Sequence, residues 1–392
     1  MPQYRRSFGK GLLVGAAAGI ALGAAELYGR RSGRQLIDWR FAVGVALRTC
    51  GTVPPLSSAE RVALENSYRA VLERIEEPIA RYTSTRLPLQ GTEVRVLDRP
   101  SWIRTNAGNF QELLQPFEQF YEEQARREPA GGAAVSGVSR LALSSQIGVL
   151  LGYLARRVLG QYDISLLGRE PVDAGKLYFV EPNIRALETT LGLPPDEIRT
   201  WIALHEATHA HEFELHPWVR RYLNSTLQEY LRSMVGELAD GAGNGRGAFG
   251  GFARRMVEGL RDGRNLMQAF MSPEQQALVS RLQALMALLE GYSNHIMHQV
   301  GRGLLPHFAE IEARIEARQK QRSPIEQWFL RITGLSMKME QYVLGEAFIR
   351  HVIEARGVDL LNRVWDGPEA LPTEDELRAP GAWIARVEAA AA

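Results

Sequence analysis

The sequence predicts a predominantly α-helical α+β protein in which a small β-sheet precedes a helix carrying paired histidines. Three observations predict it. Apolar residues recur at helical intervals through most of the chain, and only two short stretches alternate as strands do. The third is the H-E-x-x-H run His205-Glu206-Ala207-Thr208-His209, which lies in a segment that starts like a helix and continues apolar. At 392 residues, 45% hydrophobic and 23% charged, the chain is long enough for one large domain or two smaller ones, each with a full core. Lys and Arg number 46 against 45 Asp and Glu, and a net charge of +1 draws neither nucleic acid nor an acidic membrane by charge alone. No nucleic-acid partner is expected, so any partner must be read from a local site. The single cysteine, Cys50, excludes an internal disulfide and a thiolate zinc site, and it reads as a small buried apolar residue. A metal site in this chain must use histidine and carboxylate.

Residues 1–35 stand apart. The basic stretch from Tyr4 to Lys10 precedes the uncharged run GLLVGAAAGIALGAA at 11–25, a layout that resembles an export signal of the twin-arginine type. Fifteen helical residues span about 22 Å, short of the roughly 30 Å hydrocarbon core, so a simple membrane span is not favoured. Gly11, Gly15, Gly19 and Gly23 bare one helical face for close approach by another helix, in a membrane or in a soluble core. The segment therefore reads as a signal, as an anchor giving membrane association through residues 11–25, or as a packed helix. Localisation stays open between cytoplasm and export. The globular chain begins near Ile37, and one composite domain is expected over 36–392.

Within it, Val62, Leu64, Tyr68, Val71, Leu72 and Ile75 follow Ser57 and Ser58 at helical spacing and predict a helix over 57–81. Residues 92–98 and Lys176 to Val180 read as strands. The second is expected to offer a sheet edge to which an extended peptide adds. Glycine-rich stretches at 131–137 and 241–251 read as loops, and neither has the strand or the Gly-Lys-Ser/Thr of a phosphate loop. Ser272-Pro273-Glu274-Gln275 and Ser323-Pro324-Ile325-Glu326 each read as a helix start, with an N-cap, a proline at the first helical position and Gln or Glu at the third. No repeat of 20 to 50 residues is visible.

On a 3.6-residue period Ile198, Ile202, His205 and His209 share one face, so both imidazoles can reach one cation. Glu206 lies about 100° further round, close enough to act on a water held by the cation without ligating it. As general base it would take a proton from that water and return it to the leaving amine of a peptide. A catalytic zinc takes three protein ligands. The compact H-E-x-x-H-x-x-G-x-x-H pattern is excluded, because the chain has Glu212 and Leu215 where it needs Gly and His. Glu290 appears abruptly in the apolar helix Leu285 to His295, with Asn294 one turn later on the same face. That E-x-x-x-N spacing resembles the E-x-x-x-D of thermolysin-like gluzincins, in which the Glu is the third zinc ligand and the later acid hydrogen-bonds a ligand histidine. His295 and His298 are reserve candidates for a ligand or for a donor to the developing oxyanion.

More of the chain then looks familiar. Leu151-Gly152-Tyr153, Val158 to Asp163, Val180-Glu181-Pro182-Asn183, Trp201 to His209, His216-Pro217-Trp218, Leu289-Glu290-Gly291 and Gly334 to Tyr342 resemble the zincin-like type 2 metallopeptidase family from about Ile37 to about Val387. Its members are largely uncharacterised bacterial hydrolases, some described as associated with deazaflavin-cofactor biosynthesis. The resemblance implies a zincin-like fold and one Zn2+ per chain at His205, His209 and Glu290, with Glu206 as base. The family usually has an acid where this chain has Asn294, so metal affinity is where the chain departs. Tyr342 could donate to the oxyanion and Lys338 could hold a substrate carboxylate, or the two, with Gln341, form an ordinary polar helix surface. Peptide-bond hydrolysis is the leading reading, with a peptide or protein substrate. The rival is a zinc-binding or interaction protein on the same scaffold that turns nothing over.

Overall fold

Helices begin where the sequence writes their caps. In the computed structural model, which describes residues 36–127, 137–162, 176–243, 272–320 and 338–391, the Ser57 hydroxyl accepts from Glu60 N–H at 3.2 Å. Ser272 and Gln275 complete a reciprocal capping box at 3.2 Å in each direction. The elements run α1 (Trp39–Thr49), α2 (Ser58–Thr83), β1 (Glu93–Leu97), α3 (Arg99–Arg127), α4 (Gly137–Ala155), β2 (Gly160–Tyr162), β3 (Lys176–Val180), α5 (Glu181–Leu191), α6 (Pro195–Leu215) and α7 (Pro217–Gly243). They continue with α8 (Pro273–Leu304), α9 (Phe308–Lys320), α10 (Lys338–Arg356), α11 (Val358–Asn362), α12 (Glu374–Arg378) and α13 (Pro380–Ala391). The fold is therefore mostly helical with a small three-stranded sheet.

The described residues divide into two compact units, one within 36–55 and 97–158, the other within 56–96 and 159–391. In the first, Asp38 caps α1 by accepting from Phe41 N–H at 3.0 Å and pairs with Arg140 at 3.0 Å. Cys50, at the end of α1, is buried. In the second, the sheet has the order β1-β3-β2, with β2 antiparallel to β3 and Gly160 opposite Phe179. The strand at Lys176–Val180 is thus the centre of the sheet, not the free edge expected of it. β2 lies on one side, a three-residue strand too short to show any alternation. α6, α8 and α10 form the heart of this unit, sharing a core that includes Ile198, Ile202, Leu204, Leu285, Leu288, Phe348 and Ile349.

Residues 1–35, 131–136, 244–251 and Ser323 to Glu326 lie outside the described residues. Gly137 opens α4, and Gly241 to Gly243 end α7, where loops were expected. Among the described residues no helix is long and apolar enough to cross a membrane.

Candidate metal centre

α6 starts with proline at its first position and Asp196 and Glu197 in its first turn, where negative charge complements the helix dipole. Two turns later the i, i+4 spacing brings His205 Nε2 and His209 Nε2 to 3.2 Å, the rings nearly perpendicular at 81°. Glu290, from the middle of α8, places Oε2 3.9 Å from His205 Nε2 and 3.8 Å from His209 Nε2. A point equidistant from these three atoms, in their plane, lies about 2.1 Å from each, within the range of zinc bonds to nitrogen and oxygen. Glu290 Oε2 is buried and has no hydrogen-bond partner, an orphan that a cation would satisfy. The three residues therefore fit a divalent metal ion.

Behind this triangle, His209 Nδ1 lies 2.8 Å from Oε2 of Glu212, whose side chain is 0% exposed. Nδ1–H donates to that carboxylate and leaves Nε2 free to ligate. His205 is held more weakly, with Nδ1 3.1 Å from Met297 Sδ and 3.5 Å from Ser293 Oγ, and its ring stacks on Trp201 with an interplanar angle of 7°. Burial pushes the His205 imidazolium pKa well below its ordinary value, and the neighbouring His209 charge adds to this. Burial opposes charge on His209 too, but the Glu212 carboxylate beside it, with Glu290 and Glu206, holds it up at about 9. Burial raises Glu212 to about 7 against the pull of His209.

Glu206 is buried and forms no ion pair among the described residues. Its Oε2 accepts from Tyr162 N–H at 3.0 Å. The strand register explains why. Val180 N–H donates to Leu159 O at 2.8 Å, so in the alternation of an antiparallel pair Gly160 and Tyr162 turn their backbone groups away from β3. A Cβ on Gly160 would fall 2.6 Å from Glu206 Cγ and 2.7 Å from Oε1, so only glycine lets the carboxylate lie against β2. Burial raises Glu206 to about 7, against the opposing effects of His209 and the Tyr162 bond.

The other predicted residues are placed less centrally. Asn294 hydrogen-bonds neither ligand histidine, and for His209 the supporting position is taken by Glu212. His295 is buried, its Nε2 2.5 Å from Tyr82 Oη. His298 sits between Glu312 at 2.5 Å and Glu346 at 3.4 Å, and these two carboxylates raise it to about 9. The metal grouping contains neither histidine. The side chains of Tyr342, Lys338 and Gln341 lie outside the described residues. Glu212 and Gly160 were missed from sequence, whereas Gln161-Tyr162-Asp163 read as a supporting or substrate-binding loop or, more simply, a loop cap, and Tyr162 supplies its N–H to Glu206. No signal in the sequence singles out Glu212, which α6 buries together with the polar Thr200, Glu206, Thr208 and His211.

Two imidazoles and a carboxylate around one point, with a further carboxylate beside them, are compatible with a divalent metal site. The chain belongs to the family described as zincin-like metallopeptidase, which matches residues 37–384. Membership implies a divalent metal, typically zinc, and supports a hydrolase. A crystal structure from Chloroflexus aurantiacus, described as that of "a putative hydrolase with a novel fold", is 39% identical to this chain with a TM-score of 0.67. The match covers 90% of this chain and 99% of that one. No curated protein matches the chain.

Proposed function

We propose that this protein is a zinc-dependent peptidase in which His205, His209 and Glu290 hold the ion and Glu206 is the general base. When bound, the ion supplies Lewis-acid polarisation and lowers the pKa of a water toward about 7. The work left to the chain is proton transfer at one carboxylate. Glu206 accepts the proton of the attacking water and returns it to the leaving nitrogen, while the Tyr162 N–H keeps Oε2 in place. The observation that carries the reading is the state of Glu206. It is unpaired by any cation side chain among the described residues, adjacent to the ligand triangle and raised by burial to about 7, where a carboxyl both takes and gives a proton at neutral pH. A scaffold that bound zinc only for structure would have no use for such a group. β3, flanked by β1 and β2, has no free edge for peptide addition, so the substrate chain must find its main-chain contacts elsewhere.

The test is cleavage of a diverse peptide pool, read by mass spectrometry, by zinc-loaded parent protein and by Glu206→Gln. The parent is expected to cut, and the variant to keep its zinc while losing about 10²- to 10⁴-fold in rate. His205→Ala is expected to lose the metal. Equal cleavage by Glu206→Gln and parent would refute the mechanism.

A further inference from the structure

We propose that Glu212 is the positioning residue of the metal centre, holding His209 through Nδ1 and thereby setting the affinity for the divalent cation. This rests on the reading of His205, His209 and Glu290 as ligands. The Glu212 side chain is fully buried, with Oε2 2.8 Å from His209 Nδ1. Its other oxygen, Oε1, is buried without a hydrogen-bond partner. A buried carboxylate half satisfied in this way costs stability, so its presence is not explained by packing. What it accomplishes is local: it fixes the ring orientation of His209, keeps the proton on Nδ1 and leaves Nε2 as the donor atom toward the cation.

Among the described residues no other group does this for His209. Asn294, one turn beyond Glu290, bonds neither histidine. His205 has only a thioether sulfur and a hydroxyl near Nδ1, both weak acceptors. The support is therefore asymmetric, with one ligand held by a charge and the other by neutral contacts. Because Glu212 lies three residues after His209 on α6, ligand and support share one rigid element.

The experiment is a zinc titration against a chromophoric chelator, using full-length parent, Glu212→Gln, Glu212→Asp and His205→Ala, with thermal unfolding of each protein stripped of metal. Gln keeps the shape and removes the charge, so Glu212→Gln is expected to bind zinc about 10- to 100-fold more weakly while its metal-free melting temperature is unchanged or higher. Glu212→Asp keeps the charge on a shorter side chain and is expected to fall between the two. It provides the reading if the Gln variant does not fold. Zinc affinity of Glu212→Gln within twofold of the parent, or of Glu212→Asp indistinguishable from the parent where the Gln variant does not fold, with His205→Ala still impaired, overturns the role of Glu212 and leaves the ligand set standing. A parent that binds no zinc overturns the ligand set itself.

Discussion

Replacing Gly345 by alanine probes whether the crossing of α8 and α10 holds Glu290 in place. A Cβ at 345 would fall 1.8 Å from Ala287 O, 2.7 Å from Ala287 C and 3.3 Å from Gly291 Cα. All three are backbone atoms, so no side chain can swing aside. Non-bonded carbon contacts settle at about 3.5–4.0 Å, and relieving the clash requires the helices to part by roughly 1.5 Å. Overpacking of this kind costs about 1–3 kcal/mol, offset by roughly 0.5–1 kcal/mol from replacing glycine within a helix. A net loss of about 1 kcal/mol lowers the melting temperature by roughly 2–4 °C in a unit of this size. Glu290 directly precedes Gly291, so the same displacement stretches its 3.8 and 3.9 Å approaches to the histidines beyond what a single ion can bridge. Zinc affinity is expected to fall at least about tenfold along with the melting temperature. Gly303→Ala is the control, since that Cβ, also in α8, meets nothing within 4 Å. Calorimetry and chelator competition on the two variants decide the matter. A Gly345→Ala protein with parental melting temperature and zinc affinity, or a Gly303→Ala protein equally damaged, would show that the crossing does not govern Glu290.

Gly160→Ala pushes on Glu206 atoms 2.6 to 2.8 Å from the new Cβ, all in one flexible side chain. The fold and bound zinc should survive, whereas peptide cleavage should drop by about 10²-fold or more; unchanged cleavage would mean that the seat on β2 is dispensable. Stripping the metal should lower the melting temperature, because zinc at about 100 times its Kd contributes about 2.7 kcal/mol; a Glu290→Ala protein with the same zinc-dependent shift would rule out the ligand set. His298, raised to about 9 by hydrogen bonds to Glu312 and Glu346, contributes its stability in full below about pH 6.5, and that contribution is lost as the pH climbs through about 9. His298→Gln should therefore flatten the melting temperature against pH across that window, and an unaltered profile would break the assignment.

What could be read from the sequence was whatever a single helix expresses in its own period. His205 and His209 face one way because they are four apart, and Glu290 stood out because an apolar helix surrounds it. The caps of α2 and α8 were legible for the same reason, since capping is chemistry between near neighbours. Glu212 was not legible, because an acid three residues beyond a histidine looks like solvent-facing polarity until neighbouring elements close over α6. Gly160 was invisible because its role depends on a side chain 46 residues further along the chain, and a three-residue strand leaves no pattern. The order β1-β3-β2 was likewise beyond reach. β1 and β3 are equal in length, β2 spans three residues, and nothing in the alternation of Lys176–Val180 distinguishes a central strand from an edge.

The electrostatics of the site bind these features together. Glu206, Glu212 and Glu290 crowd two imidazoles, with Glu206 and Glu212 buried, and burial, helped by the Glu290 charge, outweighs the pull of His209 and holds both at about 7. Groups coupled this closely exchange protons as a set rather than singly, so Glu206, His209 and Glu212 titrate together. A divalent ion among the two Nε2 atoms and Glu290 Oε2 changes that balance. Bound there, it would favour ionised carboxylates, remove the need for a proton on His209 Nε2 and satisfy the orphaned oxygen of Glu290. Glu206, held by one backbone N–H, would then stand beside positive charge, and burial and the cation would act on its affinity for a proton in opposite directions. The close passage of Gly160 and the backbone crossing at Gly345 spend small residues at sites where a larger one would displace Glu206 or Glu290 by an ångström or more. That is the tolerance a metal-ligand bond cannot absorb, and it places the limits on this site in the surrounding backbone as much as in the ligands themselves.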